Sequence, residues 1–210
     1  LLGSGRSEVL RAIFGADPYD TGTITVDAEV IRSPSPPLMK TKGLGYTPEN
    51  RKEAGLVQSL AIHDNLIMAS LERIAPGGFV TRGREKPYVA TQVRDLAIKA
   101  PDPMLPVSSL SGGNQQKVVI GNWLNTQPKV MFFDEPSRGV DVQAKQQIFE
   151  IIWAQAAAGL SSIFVSSELE EVLEVCDRIL VMRHGRIVAE RFPASTTLAE
   201  LYEICMRGSE

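Results

Sequence analysis

Between residues 112 and 189 short apolar runs alternate with amphipathic stretches, and this alternation constrains the fold more than any other feature. A helix over about 112–126 precedes the apolar strand Val130-Met131-Phe132-Phe133. The next helix carries Ile148, Ile151 and Ile152 on one face and is ended by Gly159. Ser162-Ile163-Phe164-Val165 reads as a strand, 168–175 as a helix and 179–182 as a strand. The last of these turns through Arg183-His184-Gly185-Arg186 into Ile187-Val188-Ala189, with His184 as a hairpin-turn residue. Strands alternating with helices predict an α/β protein with a mainly parallel sheet and flanking helices, with ligands at the C-terminal ends of the strands.

The N-terminal part fits the same class. Val9, Leu10, Ile13 and Phe14 share one helical face over 6–14, and Gly15 is a natural stop. Residues 23–26 and 29–31 flank Asp27-Ala28 like a short antiparallel hairpin, although the tightest turns favour glycine where Ala28 stands. Ser33-Pro34-Ser35-Pro36-Pro37 reads as a break.

From 57 to 107 the texture changes. A helix is expected over 60–71, a break at Pro76-Gly77-Gly78, and a second amphipathic helix marked by Val89, Val93, Leu96 and Ala97. Pro101, Pro103 and Pro106 close the block. It is expected to be a helical subdomain set into a core formed by 1–56 and 108–210. Thr197-Leu198-Ala199-Glu200 is a capping box that opens a last helix.

Composition removes several function classes. With 22 Lys+Arg against 25 Asp+Glu the net charge is −3, so electrostatics give no case for a nucleic-acid partner. No apolar run approaches the ~20 residues of a membrane-spanning helix. Cys176 and Cys205 form neither a disulfide framework nor a metal spacing and read as small buried hydrophobes. His63 and His184 stand apart from any Cys, Asp or Glu cluster at metal-ligand spacing, and Trp123 and Trp153 read as packing residues.

Two segments point to phosphate chemistry. Gly3-Ser4-Gly5-Arg6-Ser7 leads into a helix and resembles the end of a nucleotide-binding P-loop. Such a loop needs glycines so that backbone N–H groups can curl around phosphate, a helix N-terminus behind them, and a hydroxyl such as Ser7 for Mg²⁺. By itself the string also reads as an ordinary loop and cap. The motif's first glycine and its feeding strand would lie before Leu1. The second segment is the 130–133 strand ending in Asp134-Glu135. In a P-loop fold Asp134 would hold Mg²⁺ and Glu135 would orient or deprotonate the attacking water. The plainer reading is a buried strand with solvated acids at its end.

Leu110-Ser111-Gly112-Gly113-Asn114-Gln115-Gln116-Lys117 decides between these readings. It resembles the Leu-Ser-Gly-Gly-Gln signature of ABC-type ATPases, with Asn in the last place. Ser137-Arg138-Gly139-Val140-Asp141 stands at the D-loop position of that family, with Asp141 also a good N-cap. The strings 46–56, 111–117, 138–145 and 166–172 resemble the second cassette of tandem monosaccharide importers of the ribose, galactose and xylose type.

The resemblance implies ATP and Mg²⁺ as ligands. Gly3, Ser4, Gly5, Arg6, Ser7, Glu49 and Ser167 would sit around the nucleotide, Ser7 and Asp134 at the metal, and Glu135 would be catalytic. Ser111, Gly112, Gly113, Asn114 and Gln115 would be presented to the nucleotide of a partner cassette. It further implies an N-terminal cassette in the same polypeptide, integral-membrane permease subunits, a periplasmic or extracellular sugar-binding protein, and a peripheral place on the cytoplasmic face of a bacterial inner membrane.

Three positions depart from the family pattern. Arg6 replaces the usual Lys, Glu49 the usual Gln, and Ser167 the usual His. Arginine is bulkier and planar, a carboxylate beside a triphosphate is repulsive, and a serine is a poor base. The local site is therefore expected to hydrolyse slowly or not at all. A non-hydrolysing regulatory or dimerisation module and a soluble ABC ATPase of DNA repair or translation stand as alternatives, the second without the coiled coil or basic linkers it would carry. A cassette lacking its central strand would also be poorly stable as residues 1–210 alone.

Overall fold

The computed structural model describes residues 3–75 and 77–206; Leu1, Leu2 and the Pro76 of the expected break lie outside the described residues. Helix α1 (Arg6–Phe14) ends at Gly15, whose φ of 77° lets the Ala16 N–H donate back to the Arg11 carbonyl at 2.8 Å. The hairpin β1 (Ile24–Val26) and β2 (Glu29–Ile31) closes through Asp27 and Ala28 at φ 49° and 64°, so the tight turn forms without glycine.

The proline-rich break is corrected. Helix α2 (Pro36–Thr41) begins inside it, because Pro36 and Pro37 occupy the first turn, where no intrahelical N–H is needed. Its Met39 is fully buried. Strand β3 (Leu44–Thr47) follows, and then a π-helical turn, Arg51–Gly55.

The single helix expected over 60–71 is instead α3 (Ile62–Ile67), a 3₁₀ turn (Met68–Ser70) and α4 (Leu71–Ile74). The Asn122 side chain holds the interruption, accepting the Ala69 N–H at 2.8 Å. Helix α5 (Arg82–Asp95) buries Val89 and delivers Leu96 to the core. The His63 ring nitrogens lie 3.2 Å from Asp64 and 3.3 Å from Glu85, tying α3 to α5.

The remaining elements match the expected alternation closely. They are α6 (Gly112–Leu124), β4 (Val130–Asp134), α7 (Val142–Ala157), β5 (Ser161–Val165) and α8 (Leu169–Val175). The hairpin β6 (Ile179–Arg183) and β7 (Arg186–Arg191) turns through His184 and Gly185, both left-handed. Helix α9 (Leu198–Met206) opens with the expected capping box, in which the Glu200 carboxylate accepts the Thr197 N–H at 2.7 Å.

The parallel sheet runs β3-β4-β5, with Tyr46 opposite Phe132 and Phe132 opposite Ile163. Among the described residues β6 pairs only with β7, antiparallel. Strand β4 is the centre of the core, and its two faces serve different layers, as the two-residue period of a strand requires. Phe132 points to a cluster of Leu10, Phe14, Ile31, Met39 and Leu44. Met131 and Phe133 point to the opposite cluster, with Val118, Val119, Ile148 and Phe149, which continues into Ile62, Leu66 and Leu96.

Each such aromatic buried fully contributes roughly 1.5–3 kcal/mol. Trp123 meets Phe14 edge-on at 5.5 Å, and Trp153 packs on Phe149, so both tryptophans are packing residues. Cys176 and Cys205 are unpaired, and burial pushes the Cys176 thiol up to about 11. No described helix is long and apolar enough to cross a membrane.

Candidate nucleotide site

The sheet layering brings the start of α1 against the C-terminal end of β4. Gly3 and Gly5 have φ of 75° and 89°, the left-handed conformation that favours glycine and that anion-binding backbone loops use. A Cβ on Gly5 would also lie 3.2 Å from the Gly185 Cα, and the Gly185 N–H donates to the Ser4 carbonyl at 3.0 Å. The β6–β7 turn thus braces the loop. Ser4 Oγ is buried without a hydrogen-bond partner.

Ser7 Oγ donates to Asp134 Oδ1 at 2.9 Å, and the Tyr46 hydroxyl donates to Asp134 Oδ2, also at 2.9 Å. Asp134 is almost wholly buried, and that burial raises its pKa against the opposing pull of Tyr46, Ser7 and Arg6. Burial first, and then Asp134, push the Tyr46 phenol far above its ordinary value, so it stays a donor.

Glu135, the next residue, is left-handed at φ 49°. Its carboxylate faces Arg6 Nη2 at 3.4 Å and accepts from Ser167 Oγ at 3.2 Å. Arg6 also donates to the Ser166 carbonyl. Arg6, Ser7, Asp134, Glu135 and Ser167 therefore meet at one strand end.

Ser4 Oγ without a partner and the hard oxygens of Ser7 and Asp134 suit a phosphate and a magnesium ion. Bound there, the ion would neutralise phosphate charge.

Glu49 does not join this cluster but pairs with Arg138. The sequence presents the adjacent Arg51-Lys52 as a solvated pair, and the structure differs at Arg51. The π-helical turn folds its guanidinium back to donate to the Arg138 and Gly139 carbonyls at 2.7 and 3.1 Å. Burial lowers its pKa.

Ser111–Gln115 lie elsewhere on the molecule. Ser111 is the exposed N-cap of α6, and its side chain caps no N–H of that helix. Close approach explains Gly113, where a Cβ would lie 2.3 Å from the Ala144 Cβ; at Gly112 a Cβ would meet the movable tip of Arg51 at 2.7 Å and the Gly139 carbonyl at 3.2 Å. Asn114 donates to Ser111 Oγ at 3.0 Å. Gln115, expected on the same surface, is instead buried, with Nε2 donating to the Leu110 carbonyl at 3.1 Å. Asp141 caps α7 as expected, accepting the Ala144 N–H at 2.8 Å.

Sequence reasoning missed Glu171. Its buried Oε2 accepts from Ser137 and Ser166, each at 2.7 Å, and its Oε1 lies 2.6 Å from Lys145 Nζ. It joins the loop after Glu135 to the loop carrying Ser167. Tyr46 stands in the sequence only as the start of the 46–56 string, with no local sign of its hydrogen bond to Asp134.

A glycine loop opening α1 against an acidic strand end, together with a Ser-Gly-Gly helix start, defines a P-loop nucleotide-binding protein. The family model described as "ABC transporter" matches residues 2–138, and the chain belongs to that family.

The chain is similar to the ribose import ATP-binding protein RbsA of Geobacillus kaustophilus, at 46% identity over 90% of this chain and 38% of that protein. It is also similar to a putative ribose/galactose/methyl galactoside import ATP-binding protein of Agrobacterium fabrum, at 44% identity over 89% and 37%. It thus spans about two-fifths of the length of these relatives. A solved nucleotide-free ATP-binding cassette from an ABC transporter shares the fold, with a TM-score of 0.79 at 23% identity, covering 97% of this chain and 84% of that one. The ADP conformation of another such cassette gives 0.75 at 23% identity, covering 99% and 82%.

Proposed function

We propose that the chain is the second nucleotide-binding cassette of a tandem sugar importer, coupling ATP binding and hydrolysis to the motion of a membrane permease. Residues 57–107 form its helical subdomain and 1–56 with 108–210 its ATPase core. Its partners are an N-terminal cassette of the same polypeptide, the permease subunits and, through them, a periplasmic or extracellular sugar-binding protein. It works at the cytoplasmic face of a bacterial inner membrane. The sugar-import relatives and the match of the 46–56 and 111–117 strings support this reading.

The observation that carries the mechanism is the Arg6–Glu135 pair. Glu135, the acid placed to orient water, is held by the cation that should reach phosphate, and its neighbour is Ser167 where the family has His. The local site therefore holds ATP through Gly3, Ser4, Gly5, Arg6 and Ser7, with Ser7 and Asp134 as the ligands of magnesium, but turns it over poorly. Ser111, Gly112 and Gly113 complete the site of the partner cassette, where donors aimed at the γ-phosphate stabilise its charge.

In the full-length protein, Ser111→Ala should abolish most ATPase while Glu135→Gln leaves the rate nearly unchanged. A Ser111→Ala protein with full ATPase would refute this reading.

The second reading, a regulatory module with no turnover of its own, is favoured by the same Arg6–Glu135 contact. Single-turnover hydrolysis by this half, paired with a hydrolysis-dead first half, separates the two. Any burst of phosphate from this site excludes the silent module.

A further inference from the structure

Ser111 Oγ has one polar contact among the described residues, and its direction is determined. The Asn114 carboxamide accepts the Lys99 backbone N–H through Oδ1 at 2.8 Å, which fixes the amide's orientation. Its Nδ2 consequently faces Ser111 and donates to Oγ at 3.0 Å. A hydroxyl that accepts a hydrogen bond from behind keeps its own proton for an acceptor elsewhere. Ser111 is exposed at the start of α6 and spends nothing on capping its own helix, which leaves that proton available to an acceptor outside the chain.

We infer that Asn114 is a positioning residue that sets the Ser111 hydroxyl as a hydrogen-bond donor to an anionic oxygen on a facing partner. Lys99 is the anchor: the 98–100 backbone, reached from α5, holds the amide, and the amide holds the serine. The last signature place is therefore a lock on the proton of the signature serine, spanning one helical turn. Asn suits this because its short side chain reaches Oγ three residues back while its oxygen is retained by Lys99. The inference rests on the reading that Ser111 meets a nucleotide phosphate of a partner cassette.

Asn114→Asp tests it with nearly a single-atom change. The carboxylate keeps an oxygen for the Lys99 N–H but replaces the donor facing Ser111 with an acceptor, which draws the serine proton inward. The kcat and KM for ATP are measured in the full-length protein assembled with its membrane partner, for Ser111→Ala, Asn114→Asp and the double variant.

The expected result is a fall in kcat of about tenfold for Asn114→Asp, the worth of one charge-assisted hydrogen bond, with KM changed less than about twofold. In the Ser111→Ala background the same change should cost nothing further. Asn114→Ala, which frees the hydroxyl to rotate and adds no charge, should give a smaller loss that likewise vanishes without Ser111. It keeps the test open should the aspartate variant fail to assemble.

A full kcat in both Asn114 variants overturns the inference. So does a loss that persists undiminished in the Ser111→Ala background, which is the mark of altered charge or fold. An unaffected Ser111→Ala protein overturns the reading beneath it.

Discussion

The Glu135 carboxylate lies 3.4 Å from the Arg6 guanidinium, across a strand end where both are largely shielded from water. Two consequences follow from one contact. The acid's charge is neutralised at the place where a base is wanted. The cation, in turn, is withheld from any phosphate until Glu135 releases it.

Glu135→Gln should therefore tighten ATP binding at this site, by about three- to tenfold, since it weakens the grip on Arg6 and removes a negative charge facing the phosphates. Equilibrium nucleotide binding with the partner site blocked measures this. Unchanged or weaker binding would mean that phosphate and Glu135 do not compete for Arg6.

Tyr46 makes the second prediction. Its hydroxyl and that of Ser7 hold down an Asp134 pKa that burial raises. In Tyr46→Phe that pKa must rise further, so magnesium-dependent ATP binding should weaken as the medium is made mildly acidic, by about three- to tenfold relative to the unsubstituted protein. The difference should close at alkaline pH, where the carboxylate is ionised in both.

The stability sign runs the other way. A carboxylate raised above its unfolded value contributes stability that is fully present below the unfolded pKa of 3.8 and is lost as pH rises through the folded one. Tyr46→Phe should extend that loss to higher pH, and paired titrations of binding and thermal midpoint check both signs.

The contrast between Tyr46 and Asp134 also shows what sequence can carry. Asp134 was legible because an apolar run ending in acids is a local pattern. Tyr46 was not, because its contact spans 88 residues and exists only once β3 and β4 pair with Tyr46 opposite Phe132. Arg51 looked like a solvated cation because nothing local announces the π-helical turn that folds it onto Arg138 and Gly139. Gln115 reads with the signature by adjacency, whereas its contact with the Leu110 carbonyl, which keeps it buried, has no local signal in the sequence. The proline pair misled because a first-turn proline and a loop proline look alike in sequence.

Glu171 should prove structural in the same region. Its buried carboxylate receives Ser137, Ser166 and Lys145, so Glu171→Ala strands two hydroxyls and leaves the Lys145 ammonium to Glu168. The expected cost is about 3 kcal/mol, with a fall in thermal midpoint. Glu171→Gln keeps an acceptor but loses the Lys145 charge partner, and should fall between. A melt unchanged in Glu171→Ala would mean that the two loops are held by other contacts.

The last prediction concerns the floor beneath Ser111. A Cβ on Gly113 would lie 2.3 Å from the Ala144 Cβ, closer than any two such carbons can stand, so α6 and α7 must separate to admit it. Gly113→Ala should cost about 1–3 kcal/mol of stability by overpacking, despite alanine's higher helix propensity. Ala144→Gly alone should cost about 1 kcal/mol from backbone entropy. Combined, the two should recover most of the steric loss, because the methyl group has only moved from one helix to the other. Thermal or urea melts of the three variants give the coupling directly. A double variant no more stable than the sum of its parts would show that Gly113 is glycine for a reason other than Ala144.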